Sequence, residues 1–182
     1  MTIVVRSRRK KRETILTEFP QAEIIDVTSK GPKPWVKFSP FFPHYDIPVP
    51  LWDGKTGACV EAIWQALKVF ESAGVDEAML DNDKMKNIKR TVRRFGRVHG
   101  HRRMDTGELL PYVKARKLIY LPAYRFVLEQ RLQNELKSLT ILAADKVVVL
   151  LDYETNEDIT NTKKPLSHAG LVKAFLDDEW PV

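Results

Sequence analysis

Apolar residues gather into three strand-sized runs, Thr2–Arg6, Ala22–Val27 and Lys146–Leu151. Between the first two, Arg8–Glu18 reads as a helix, with Ser7 as its N-cap and Pro20 as its stop. This opening strand–helix–strand pattern predicts a mixed α/β or α+β protein. Ser29–Pro34 reads as a turn. Residues 35–54 (WVKFSPFFPHYDIPVPLWDG) are rich in proline and aromatic side chains. Proline fixes φ and lacks an N–H, so the segment is expected to be an ordered aromatic loop rather than a helix or a central strand. Gly57–Ser72 has the clearest helical period, with Val60, Ile63, Leu67 and Phe70 on one apolar stripe. Lys84–Phe95 predicts a basic helix broken at Gly96, followed by a loop containing His99, Gly100 and His101. Leu109–Lys137 predicts a long helical region that Pro122 divides or kinks. Asp152–Lys164 reads as a polar loop, and Leu166–Leu176 as a closing helix capped by Ser167. No repeat and no low-complexity linker interrupts residues 1–182, so one domain is the simplest expectation.

Composition narrows the class. The 182 residues are 43% hydrophobic and 30% charged, enough to build a core and too apolar for a disordered chain. No apolar run approaches the roughly 20 residues of a membrane span. The N-terminus places its charges after a very short apolar stretch, the wrong order and length for a secretory signal, so a cytoplasmic location is expected. A single cysteine, Cys59, excludes an intramolecular disulfide and a cysteine-based zinc site. The net charge of +6 is unevenly distributed. Residues 6–12 and 84–103 together hold half of the 30 Lys and Arg and no acid, leaving an acidic remainder. Clustered Arg and Lys attract phosphates, of a small ligand or of a nucleic acid, although such runs also serve as solvated faces.

Candidate chemistry sits on the Gly57–Ser72 helix. Glu61, Gln65 and Lys68 fall at i, i+4 and i+7, a polar row separated from the apolar stripe by Trp64. A carboxyl, an amide and an amine on one edge can transfer a proton, stabilise a cationic sugar centre or attack a carbonyl carbon. The same spacing also describes an ordinary exposed face. His44, His99, His101 and His168 lack metal-ligand spacing, and GxSxG, Walker and GxGxxG motifs are absent. Cys59 reads as a buried structural thiol.

The run FSPFFPHYDIPV, the turn WDGK and the helix VEAIWQALKVF, in that order, resemble the NADAR (YbiA-like) superfamily. Phe38, Phe41 and Pro43 match its aromatic segment, and Asp53, Gly54 and Lys55 match its turn. Val60, Glu61, Gln65, Ala66, Lys68 and Phe70 match its helix. IKRTVRRFGR, KVVVLLDYETNED and LSHAGLVKAFL are similar to its later segments, so the resemblance covers about residues 35–176. Three positions depart from the pattern. Ala62 replaces the family's histidine, Pro40 replaces an asparagine, and Ser167, His168 and Gly170 stand where a glycine-rich C-terminal signature belongs.

The resemblance implies a compact, α-rich α+β domain with a small sheet, in which 35–176 form the core and 1–34 an N-terminal extension. It implies N-glycosidase chemistry on a phosphate-bearing riboside, such as ADP-ribose linked to a base or nucleic acid, or a phosphoribosylated intermediate. It implies no cofactor and no metal. Glu61 would be the catalytic carboxylate, and Lys68 would contact the ribose or form a transient imine. Phe41, Trp64 and Gln65 would line the substrate, Arg90, Arg94, Arg97 and Arg102 would meet its phosphates, Asp158 and His168 are further substrate-binding candidates, and Asp152, Asp158 or His168 would stand in for the missing signature. Two other readings use the basic 84–103 segment: binding of ADP-ribose or a nucleotide without turnover, and nucleic-acid binding.

Overall fold

The computed structural model describes residues 1–181. In chain order its elements are β1 (Ile3–Ser7), α1 (Arg12–Glu18), β2 (Glu23–Asp26), a 3-10 turn (Trp35–Phe38), β3 (Ile47–Pro48), β4 (Thr56–Gly57), α2 (Val60–Leu67), β5 (Lys68–Phe70), a second 3-10 turn (Glu77–Asp81), α3 (Val92–Phe95), β6 (Val98–Arg102), β7 (Leu109–Leu110), α4 (Tyr112–Ala115), a π-helical turn (Arg116–Tyr120), α5 (Leu121–Arg131), α6 (Gln133–Asp145), β8 (Val148–Asp152) and α7 (His168–Leu176). The class is α+β and helix-rich, as the pattern and the resemblance led one to expect. The chain packs as two units, one of Met1–Ser39 and Leu132–Val182, the other of Pro40–Arg131.

The first unit is built on a parallel sheet of order β1-β8-β2. Ile3–Ser7 pair with Val148–Asp152, and Glu23–Asp26 pair with Val148–Leu151. Val148, Val149 and Leu150 are fully buried, the unbroken apolar run that a central parallel strand requires. Ile15 of α1 packs with Ala22 and Val149, and α7 packs against β1 and β8. Residues 1–34 thus supply two of the three strands of this sheet. Ser7 ends β1 instead of capping α1, which starts at Arg12 with Lys11 as a cap that makes no side-chain hydrogen bond.

In the second unit, α2 packs on the Glu77–Asp81 turn, on α5 and on the π-helical turn, and an antiparallel sheet of order β5-β6-β7 lies beside it. Three expectations are corrected here. The helix expected to reach Ser72 stops at Leu67, because Lys68 turns extended (ψ 129°) and begins β5. The stretch Lys84–Phe95 is helical only over the four residues of α3, and the loop expected around His99–His101 is strand β6. Pro122 lies in the first turn of α5, directly after the π-helical turn that interrupts the helix between α4 and α5, where its missing N–H is accommodated. Leu109 and Leu110 form β7, and the break between helices falls at Leu132 (φ −121°, ψ 18°). Among the described residues no helix is long and apolar enough to cross a membrane.

Candidate active site

The second unit gathers the main candidates around α2. Cys59 is the N-cap, and its Sγ accepts the Ala62 N–H at 3.3 Å. Burial pushes the thiol up to about 11, so it stays protonated and acts as a structural cap. The Glu61 N–H donates to the Pro40 carbonyl at 2.9 Å, tying the helix start to the proline-rich segment. All eight residues of α2 are buried. The row of Glu61 and Gln65 is therefore an interior edge of the helix, not a solvated face.

A buried carboxyl needs a partner. Gln65 Nε2 donates to Glu61 Oε1 at 2.8 Å, and Gln65 Oε1 accepts the Arg90 backbone N–H at 2.9 Å. The amide is held from both sides, so it presents a fixed donor to the carboxyl. Burial raises the Glu61 pKa, and the charges of Lys89 and Lys68 only partly oppose that rise. Burial lowers the Lys68 pKa against the pull of Glu61, and Lys89 and Arg90 lower it further. Desolvation thus moves the acid and the amine towards each other, the condition under which one can donate a proton while the other stays neutral.

Lys68 heads β5, where its register partner is His101 of β6. The two side chains share one face of the sheet. His101 is 0% exposed and lies tilted by 32° against Trp64 with centroids 3.7 Å apart. Both its ring nitrogens are buried without a hydrogen-bond partner among the described residues. Burial, aided by the Lys68 charge, pushes the imidazole down to about 3, so it is neutral at physiological pH. Tyr112 and Tyr120 meet the Trp64 ring edge-on, each at 5.6 Å. The Lys68 Nζ lies 6.0 Å from the Trp64 ring and 5.9 Å from the Phe70 ring. Gly100 makes this packing possible: its φ is +150°, and a Cβ there would sit 2.4 Å from the Leu110 carbonyl oxygen.

Phe41 packs against Cys59, Ala62 and Ile88, and the Lys89 Nζ lies 5.7 Å from its ring. It therefore sits at the N-terminal end of α2. The arginines divide by role. Arg90 is buried and donates to the carbonyls of Gln65, Lys68 and Gly74 at 3.1, 2.8 and 2.8 Å. It clamps the α2–β5 junction, so its Nη donors already serve the backbone. Arg94 lies over Phe95 at 5.0 Å, and Arg97 follows Gly96, both with exposed side chains. Arg102 donates to the Gly107 carbonyl at 2.8 Å, and strand alternation turns it to the face opposite His101.

Asp158 and His168 belong to the first unit. Asp158 is exposed and accepts from the Thr160 N–H and hydroxyl at 2.8 and 2.7 Å, closing a local turn. His168 is buried between Asp152 Oδ2 and the Val27 carbonyl, each at 2.9 Å. Ser167 donates to the same Asp152 oxygen at 2.8 Å and accepts from the Gly170 N–H, so it caps α7 as the sequence predicts. Serine and histidine both point at the aspartate and not at each other, so the trio is a structural anchor and not a nucleophilic relay.

Sequence reasoning passed over Lys89 and Tyr112 and considered His101 only as a metal ligand. In a regular strand His99 and His101, two apart, would share a face; the register shift opposite Val69 and Phe70 leaves His99 unpaired and exposed while His101 is buried opposite Lys68. Among the described residues no three His, Cys, Asp or Glu side chains are placed to hold a metal ion.

The protein is thus an α+β protein in which Lys68 feels the charge of a buried Glu61 and stands opposite a buried, neutral His101 that lies against Trp64. The chain belongs to a family of unknown function (DUF6939), whose model matches residues 7–172. A search of curated proteins found no match, and neither did a search of solved structures.

Proposed function

We propose that the second unit is an N-glycosidase acting on a phosphate-bearing riboside, a base or nucleic acid carrying ADP-ribose or a phosphoribosylated intermediate, in keeping with the NADAR-like motifs. The observation that carries this reading is the pairing of a buried Glu61 with a half-buried Lys68, within reach of each other's charge and shifted in opposite directions. Hydrolysis of the C1′–N bond adds water: the sugar carbon gains a hydroxyl and the base leaves with a proton. Glu61, holding its proton above the usual carboxylate range, gives that proton to the departing base. Its carboxylate then faces the positive charge that develops at C1′. Lys68 contacts the ribose, or its neutral amine attacks C1′ and forms a transient imine that water releases. Phe41 and Trp64 wall the base, and the exposed cations Lys89, Arg94 and Arg97 draw the phosphates. A cytoplasmic location is part of the same proposal.

The experiment supplies ADP-ribosylated nucleosides and oligonucleotides and a phosphoribosylated base, and measures free base by chromatography. Wild type is expected to release base, and Glu61→Gln to fall by about 10²–10⁴-fold. Borohydride added during turnover separates the two roles of Lys68, since only an imine is trapped as a stable adduct. Binding without product would instead support the non-catalytic nucleotide-binding reading. The exposed Lys84, Lys86, Arg93, Arg94 and Arg97 favour nucleic acid as the carrier of the modified base. In that case affinity falls steeply with added salt.

A further inference from the structure

The first unit contains a cleft of about 440 Å³ that the chemistry above does not use. It lies at the outer strand of the parallel sheet, β2, all four of whose residues line it, facing Ile15 and Arg12 of α1. The order β1-β8-β2 means that the chain passes over β8 between its first two strands. The volume suits a single small ligand.

The lining divides by chemistry. Ile15, Ile24 and Leu151 make an apolar floor, and Trp35, backed by Phe38 at 6.3 Å and nearly parallel to it, supplies an aromatic wall. Two of the four charged residues are already occupied. Lys10 pairs with Glu18, and Asp26 accepts from Arg8 at 2.6 Å and from the Thr28 hydroxyl at 2.6 Å. Among the described residues the other two, Arg12 and Glu23, have side chains with no hydrogen-bond or ion-pair partner, and the Trp35 indole N–H has none either. A free guanidinium, a free carboxylate and an aromatic face therefore border one cleft. Glu23 to Asp26 spans about 10 Å of extended chain, the order of length of one nucleotide.

We propose that this cleft binds a nucleoside monophosphate, with the phosphate on Arg12, the base against Trp35 and the ribose hydroxyls donating to Glu23. A guanidinium matches phosphate oxygens in pairs. An indole accepts any base by stacking, and a carboxylate with open lone pairs accepts from vicinal hydroxyls. The remaining cations of the 6–12 run fit the same picture. Arg6, Arg8 and Lys10 are held by carboxylates, while Arg9 lies over Tyr153 at 5.7 Å. The run is thus partly structural, with Arg12 left open at the cleft.

The proposal stands apart from the glycosidase reading, and its test separates the two. The full chain is titrated with adenosine and uridine 5′-monophosphates, adenosine and inorganic phosphate by calorimetry. Arg12→Ala, Glu23→Gln and Trp35→Leu are titrated alongside, each checked by thermal melting. Saturable binding of both nucleotides is expected, weakened about tenfold or more by Arg12→Ala and Trp35→Leu, with adenosine and phosphate each far weaker than the nucleotide. Glu61→Gln is expected to bind as wild type does. The proposal is overturned if neither nucleotide binds at millimolar concentration, or if Arg12→Ala melts and binds like wild type. Loss of binding in Glu61→Gln but not in Arg12→Ala would also overturn it. So would binding of a single-stranded oligonucleotide that ignores Trp35→Leu when the mononucleotides do not bind.

Discussion

His101 lies against Trp64 at 3.7 Å and stands opposite Lys68 in the β5–β6 register, with neither ring nitrogen hydrogen-bonded among the described residues. A buried donor and a buried acceptor without partners each cost about 1–3 kcal/mol. Retaining both at the centre of a packed unit is a cost to stability that an apolar ring would avoid. His101→Phe is therefore expected to keep the ring contact and to leave the melting temperature unchanged or raise it, while base release falls. Thermal denaturation with a parallel activity assay checks this. A variant that melts well below wild type would mean that the imidazole nitrogens are satisfied.

The Asp152–His168 pair predicts a pH window for stability. Although burial disfavours its charge, His168 is raised above its ordinary 6.5 by Asp152 and by the Val27 carbonyl. Asp152 is lowered below its ordinary 3.8 by His168 and by the donors Ser167 and Ala169, which together outweigh its burial. The raised histidine contributes fully below pH 6.5 and loses that contribution as pH rises through its folded value. The lowered aspartate contributes above pH 3.8 and loses it as pH falls through its folded value. The pair is thus strongest between these limits. Urea melts across pH should show stability declining on both sides, and His168→Leu should flatten the alkaline side. That variant leaves a buried charge unpaired and should cost about 3–5 kcal/mol near pH 6.

Arg90 is expected to matter for folding more than for substrate. Its guanidinium closes the carbonyl end of α2, and hydrogen bonds from a charged donor are worth about 1.5–3 kcal/mol. Arg90→Met should destabilise the chain by about 3 kcal/mol in urea denaturation, and Arg90→Lys should recover only part of the loss, since one ammonium cannot span the three carbonyls. Arg94→Ala and Arg97→Ala should leave the urea midpoint unchanged and weaken substrate affinity. An Arg90 variant of wild-type stability would return this residue to the phosphate site.

Parts of this architecture are written locally in the sequence. The β1, β2 and β8 runs are apolar enough to declare themselves, and Ser167 sits three residues before the Gly170 N–H it caps. The end of α2 is different. Nothing in the helical period stops it at Leu67; what stops it is the pairing of Lys68–Phe70 with β6, about thirty residues later in the chain. The same nonlocal pairing turns the stretch that reads as a loop around His99–His101 into a strand, and it places His101 beside Lys68. Glu61, Gln65 and Trp64 were legible because they share one short helix. Lys89 and His101 were not, because a helical count cannot bring them to that helix.

Cys59 offers a direct check of the α2 terminus. Buried, capping Ala62 and held up to about 11, the thiol should resist a thiol-specific reagent at pH 8 in the folded protein and react fully in denaturant. Cys59→Ala should cost about 1 kcal/mol through loss of the cap, and Cys59→Ser should recover much of it.

The central proposal is that Glu61, raised by burial, acts as the proton donor beside Lys68, which burial lowers. Its most direct test is the pH dependence of free-base release from an ADP-ribosylated oligonucleotide by wild type, Glu61→Gln and Lys68→Met. Wild-type turnover should fall as pH rises through the elevated Glu61 value, and each variant should lose at least about a hundredfold while melting as wild type does. Turnover by Glu61→Gln equal to wild type across the pH range would contradict the account.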